Sequence, residues 1–151
     1  MEDLLLTVHV LAAVIWVGGS VTMLAFGYYL RGRDVTTRVE YTRWTEWLAP
    51  RLFAPMSIAV IVAGPLLVSE LDYEFNEPWL HVGFFGWLVS FVIGVMFYPR
   101  EGRRREQLIK QEGIEHASVA ASVSRVLTVA NVDTLIIALV VIDMTTKPGA
   151  S

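Results

Sequence analysis

The side chains of this sequence that could do chemistry in an apolar surrounding fall in three separate apolar runs. His9 opens the stretch His9-Val-Leu-Ala-Ala-Val-Ile-Trp16-Val-Gly-Gly19, and no charged side chain occurs from Leu4 to Leu30. A neutral imidazole in such a place can ligate haem iron or another metal, or relay a proton. Spacings of three, four and seven put His9, Ala12, Trp16 and Gly19 on one helical face. Small residues beside a histidine make a groove where a helix or a flat cofactor can come close. The competing reading is a structural histidine, hydrogen-bonded to a neighbouring helix.

His81 lies near the end of another apolar run, at a depth comparable with His9, which raises bis-histidine haem ligation. The helical wheel opposes it. Gly83, Gly86, Ser90 and Gly94 make the small, close-packing face of that run, and His81 projects from nearly the opposite side. It reads as an interfacial residue beside Trp79. Asp143 and Met144 also fall at the depth of His9, and a His–Met site for haem or copper is sound chemistry. His81 and Met144 therefore stand as second choices behind His9. Asn131 and Asp133 are costly in a membrane. An Asp133 inside the bundle needs a donor, and Arg125 and Asn131 are near in sequence; the alternative is a later helix start that leaves Asp133 interfacial. His116 sits in a polar connector, too far away to join the others.

These residues have to be positioned by helices that cross a membrane. The chain has 151 residues, 54% of them hydrophobic, no cysteine and a net charge of −3. This composition indicates one domain of the membrane class and excludes disulfide or thiolate chemistry. Four runs are long enough to span: about 4–30, 52–68, 79–98 and 126–144, the last closed by Lys147-Pro148-Gly149. None alternates cleanly, so they are helices rather than barrel strands. The first lacks a positive leading region and reads as a retained span rather than a cleaved signal. Walker, dinucleotide-binding, metalloprotease and serine-nucleophile motifs are absent, as are the paired broken helices of a secondary transporter.

The connectors orient the bundle. Arg31–Arg51 and Arg100–Arg125 hold 11 of the 12 Lys and Arg residues, while the other side has Lys147 with Glu2, Asp3, Glu70, Asp72, Glu74 and Glu77. By the positive-inside rule both connectors are cytoplasmic and both termini lie outside. The expected architecture is an all-α integral membrane four-helix bundle in the cytoplasmic membrane. Val39–Trp47 suits an amphipathic helix at the headgroups, and Arg100–Ser124 could extend the third span. The positive charge reads as a solvated face near anionic lipid, not as a nucleic-acid surface. A homo-oligomer is compatible with the pattern.

Taken in order, the landmarks resemble a known group. They are His9 with Trp16 and Gly19, then Arg51-Leu-Phe-Ala-Pro55 running to Gly64, then Trp79-Leu-His81, then Arg125 with Asn131 and Lys147-Pro148. The chain is similar over nearly its whole length to the HemJ-type protoporphyrinogen oxidases, the CopD-like membrane proteins and their uncharacterised small relatives. The resemblance implies haem b with His9 as iron ligand or catalytic residue. It also implies electron transfer or porphyrin oxidation, and a quinone or membrane redox partner. Some positions depart from the oxidase pattern: Gly83 stands where that group has a lysine, Thr-Met-Leu-Ala around Met23 replaces Tyr-Leu-Pro-Arg, and Val132 follows Asn131 in place of glutamate. Losing both cationic groups removes contacts for porphyrin carboxylates. The likeness is therefore to the uncharacterised relatives more than to the oxidase. A non-catalytic membrane subunit or metal-handling protein is the alternative.

Overall fold

A computed structural model describes residues 1–148, so the Gly149 of the expected closing run lies outside the described residues. The described residues form six α-helices: α1 (Glu2–Tyr29), α2 (Val35–Leu48), α3 (Ala54–Glu70), α4 (Pro78–Val92), α5 (Tyr98–Glu112) and α6 (Ala117–Thr146). α2 runs into α3, and α4 into α5, through wide π turns at Ala49–Phe53 and Ile93–Phe97. The result is four long helical rods of 31, 36, 35 and 30 residues, each apolar and long enough to cross a membrane. The protein is an all-α integral membrane four-helix bundle.

Each rod follows from its sequence. Lipid offers no hydrogen bonds, so an apolar segment must satisfy its own backbone as a helix. A proline follows each π turn by two residues, Pro55 in one rod and Pro99 in the other. Proline cannot donate to the helical ladder, and the wider turn absorbs that defect without breaking the rod. The rods turn at polar residues. Asp34 caps α2, its Oδ1 accepting from the Thr37 N–H at 2.8 Å and its Oδ2 from the Thr37 hydroxyl at 2.7 Å. Gly113, at φ 90°, closes α5 in a conformation that side chains avoid.

Packing differs along the bundle. In the membrane part α1 lies on α3, α4 on α6, and α1 also on α6. Beyond it, at the arginine-rich end, α2, α5 and the start of α6 enclose a small core. Val39 and Val119 are fully buried there, with Val123, Leu108, Ile109 and Ile114 around them. α2 thus does more than rest at headgroups: one face enters this core, while Trp44 and Trp47 stay exposed on the other.

Candidate functional site

His9 lies in the seam between α1 and α3. Its Nδ1 is 3.1 Å from the Val60 carbonyl oxygen, so the ring carries its proton on Nδ1 and donates it across the seam. A Cβ at Gly64 would stand 3.3 Å from the His9 Cε1, which makes Gly64 the residue that lets the ring in. The expected face is the packed one. Ala12 and Trp16 are buried, and Gly19 lies against Phe53, whose Cε1 would be 2.5 Å from an added Cβ.

The other expected ligands lie elsewhere. His81 Nδ1 is 3.0 Å from the Glu77 carbonyl of its own helix, an interfacial arrangement. The Met144 methyl occupies the place where Gly83 would carry a Cβ, and Val140 does the same at Gly86, so α4 and α6 touch along the small-residue face. Asp143 and Trp79 are buried beside this contact, and Asp143 Oδ2 and Trp79 Nε1 have no protein partner among the described residues. Lys147 closes this end, donating to the Tyr73 hydroxyl at 2.7 Å with its Nζ 4.2 Å from the Tyr73 ring centre. No polar contact joins His9 to His81 or Met144 among those described.

A cavity of about 900 Å³ opens instead in the arginine-rich half. It begins among Trp16, Ser57, Ser90 and Asp133 and runs past both π turns to Arg103 and Lys110. Residues of both π turns, Phe53 and Gly94, form its walls, and an added Cβ at Gly94 would meet nothing within 4 Å. Bulged helical turns recur at functional sites because they redirect side chains. Ser57 and Ser90 are buried; Ser57 Oγ accepts from the Trp87 indole N–H at 2.8 Å, and Ser90 faces the Asp133 carboxyl. Asp133 Oδ1 is buried without a protein partner among the described residues.

The donors expected for Asp133 are engaged elsewhere. Arg125 Nη1 lies 3.2 Å from both oxygens of Glu101, which also accepts from Ser122 at 2.8 Å. Asn131 accepts from the Tyr28 hydroxyl at 2.8 Å and donates to the Leu127 carbonyl at 2.8 Å. The alternative of a late helix start is also excluded, since α6 begins at Ala117, far ahead of Asp133. Asp133 is a mid-helix carboxyl on a cavity wall.

Residues 3–148 match the profile of the predicted integral membrane protein family DUF2269. The chain belongs to that family. No curated protein and no solved structure matches it. Membership of DUF2269 agrees with a small multi-pass membrane protein, the coarser part of the resemblance drawn from the sequence.

In this DUF2269 chain the structure brings forward further side chains that the sequence alone did not single out. Tyr98 also lines the cavity. Arg105, fully buried, donates from Nη2 to both Glu46 oxygens at 2.8 and 3.0 Å, while its Nε and Nη1 have no described partner. A signal for this pair was present: Gly102 leaves room on α5 for the Glu46 carboxylate, which would lie 2.6 Å from an added Cβ.

Proposed function

We propose that the protein works by holding an amphipathic small molecule in the cavity of its arginine-rich half, next to Asp133. The observation that carries this reading is the cavity itself, about 900 Å³ in volume, with an unpartnered carboxylate oxygen at membrane depth in its wall. The volume lies within the ~300–1,000 Å³ common for ligand sites. An ionisable group in a span is expensive, and it is kept where it faces a cavity or a partner. The test is native mass spectrometry of protein purified in mild detergent, comparing wild type with Gly94→Phe. The Cβ of a phenylalanine at Gly94 enters open space on the cavity wall, and its ring takes up part of the cavity. A small molecule retained by wild type and lost from the variant is the expected result. Equal spectra from two equally folded proteins would sink the reading.

A second reading, haem b at His9, is favoured by the hydrogen bond to Val60. A proton held on Nδ1 leaves Nε2 as the lone-pair nitrogen that an iron ligand needs. Bound haem would supply one-electron chemistry, with His9 as axial ligand and Val60 fixing its ring; this fits electron transfer or porphyrin oxidation with a quinone or membrane redox partner. His9 is not a wall of the cavity, so the two readings are tested separately. Protein from haem-replete cells should show a Soret band that His9→Ala abolishes and His81→Ala largely preserves. A folded protein with no Soret band would leave His9 structural and the protein a non-catalytic membrane component.

A further inference from the structure

We infer that the cavity takes a long-chain amphipathic anion, its acidic head at Arg38, Arg103 and Lys110 and an apolar tail laid inward toward Trp16, Phe53 and Phe91. The inference rests on the cavity reading above and adds the chemistry of the ligand. Six ionisable side chains other than tyrosine line the cavity: Arg38, Glu46, Arg103, Glu106, Lys110 and Asp133. Two of the carboxylates are already matched by arginines outside the walls. Glu46 accepts from Arg105, and Glu106 takes two hydrogen bonds from Arg43 at 2.8 and 2.7 Å. The cations have no such match. Arg38 donates only to the Ser124 hydroxyl, at 3.1 Å, and among the described residues neither it, Arg103 nor Lys110 takes part in an ion pair. Lys110 shares the neighbourhood of Glu106, which Arg43 already pairs, so the outer part of the cavity keeps an excess of positive charge from Arg38, Arg103 and Lys110.

The deep part is different. Trp16, Phe53 and Phe91 are apolar walls, and the one ionisable group there, Asp133, is acidic. A carboxyl at that end repels an acidic head, which leaves the cationic end as the place for it. Shape narrows the class further. Nineteen residues of continuous helical rod separate Phe91 from Lys110, about 28 Å at ~1.5 Å per residue. That is a trough of the length an acyl-like chain needs. Because Arg103 and Lys110 are exposed, salt should weaken the head contact.

The test uses the full chain in nanodiscs of zwitterionic phosphatidylcholine, reading thermal unfolding and bound mass. Oleate, oleyl alcohol and inorganic phosphate separate chain from head. Oleate is expected to bind about tenfold more weakly to the Arg38→Gln, Arg103→Gln, Lys110→Gln triple variant. Oleyl alcohol should bind both proteins alike, phosphate should bind neither, and the oleate effect should shrink in high salt. Oleate and oleyl alcohol binding equally well, with the triple variant unchanged, would overturn the anionic head and leave the cavity standing. Failure of either chain to bind, with Gly94→Phe indistinguishable from wild type, would overturn the cavity reading itself. Discs containing phosphatidylglycerol identify the source. Competition with oleate there assigns the site to a membrane lipid; undiminished oleate binding assigns it to a free fatty acid, and the proposal holds in both cases.

Discussion

At the end of the bundle that carries the N-terminus, α4 and α6 meet with the Met144 methyl over Gly83 and Val140 over Gly86. At the arginine-rich end, the rods that contain α4 and α3 are tied to one another by Arg105 with Glu46 and by Arg43 with Glu106. The first contact depends on shape alone: any added carbon collides. The second adds ion pairs to a small buried apolar core, and the small-residue stripe that closes the bundle at Gly86 borders open space at Gly94. The tight α4–α6 contact at one end thus contrasts with open space farther along the same rod, where the cavity lies. The lesson is that one glycine stripe can do two jobs along a single rod.

The sharpest way to break this comparison is to put the same side chain at both glycines. Gly86→Leu drives a leucine into Val140 and should cost about 3 kcal/mol, as overpacking does. Gly94→Leu enters open space and gains helix propensity, so its effect should stay within about 1 kcal/mol. Phe85→Leu, on a half-exposed lipid-facing position, serves as control and should also stay within about 1 kcal/mol. Thermal unfolding in detergent measures all three. Equal losses at Gly86 and Gly94 would show that the two halves pack alike.

Next in size is the buried ion pair. Glu46→Gln leaves the Arg105 guanidinium buried without the carboxylate it is hydrogen-bonded to, and such broken pairs are costly. Glu46 keeps a side-chain exposure of 28%, so the loss should be about 2 kcal/mol rather than the full buried value. Arg43→Gln breaks a pair exposed by 37% and 39% and should cost under about 1 kcal/mol, less still in high salt. The Gly86→Leu defect should not respond to salt at all. A salt response at Gly86, or none at Arg43, would erase the distinction between the ends.

How far these features were legible follows from the physics of each. The four spans were readable because lipid forces an unbroken apolar run to be helical, and the packed faces of His9 and Gly83 followed from helical spacing. The continuity of the rods was legible in part: Arg100–Ser124 could be read as extending the third span, but nothing joined α2 to α3 across Pro50 and Pro55. Pro55 and Pro99 are ordinary stop signals, and a π turn stands ahead of each where the helix passes through. The setting of Asp133 was hidden for a different reason. Arg125 and Asn131 are near it in sequence, but Glu101 and Tyr28, far off in the chain, take them instead. A cavity is what several distant small residues leave between them, and no single stretch records it. His9 offers a middle case: its face was legible, its Val60 partner was not. His9→Ala should cost about 1–2 kcal/mol through the lost hydrogen bond and the space left in the α1–α3 seam, whether or not iron is bound.

The smallest expected effect isolates charge at the arginine-rich end without touching any packing. Asp34 caps α2, and hydrogen bonds from the Thr37 backbone and hydroxyl hold its carboxyl below the ordinary value of 3.8. A folded pKa below the unfolded one means that the carboxylate contributes stability above about pH 4, lost as pH falls through the lower folded value. Asp34→Asn keeps a side-chain oxygen to accept from Thr37 but removes the charge that favours a helix N-terminus. The variant should therefore be slightly less stable than wild type from pH 7 down to about pH 5. The gap should then close as the wild-type carboxyl is protonated. Amide exchange in the first turn of α2, measured across that range, reads the effect where it arises. A gap that stays constant to about pH 3 would assign it to geometry, and the charge-held character of this end would not extend to its caps.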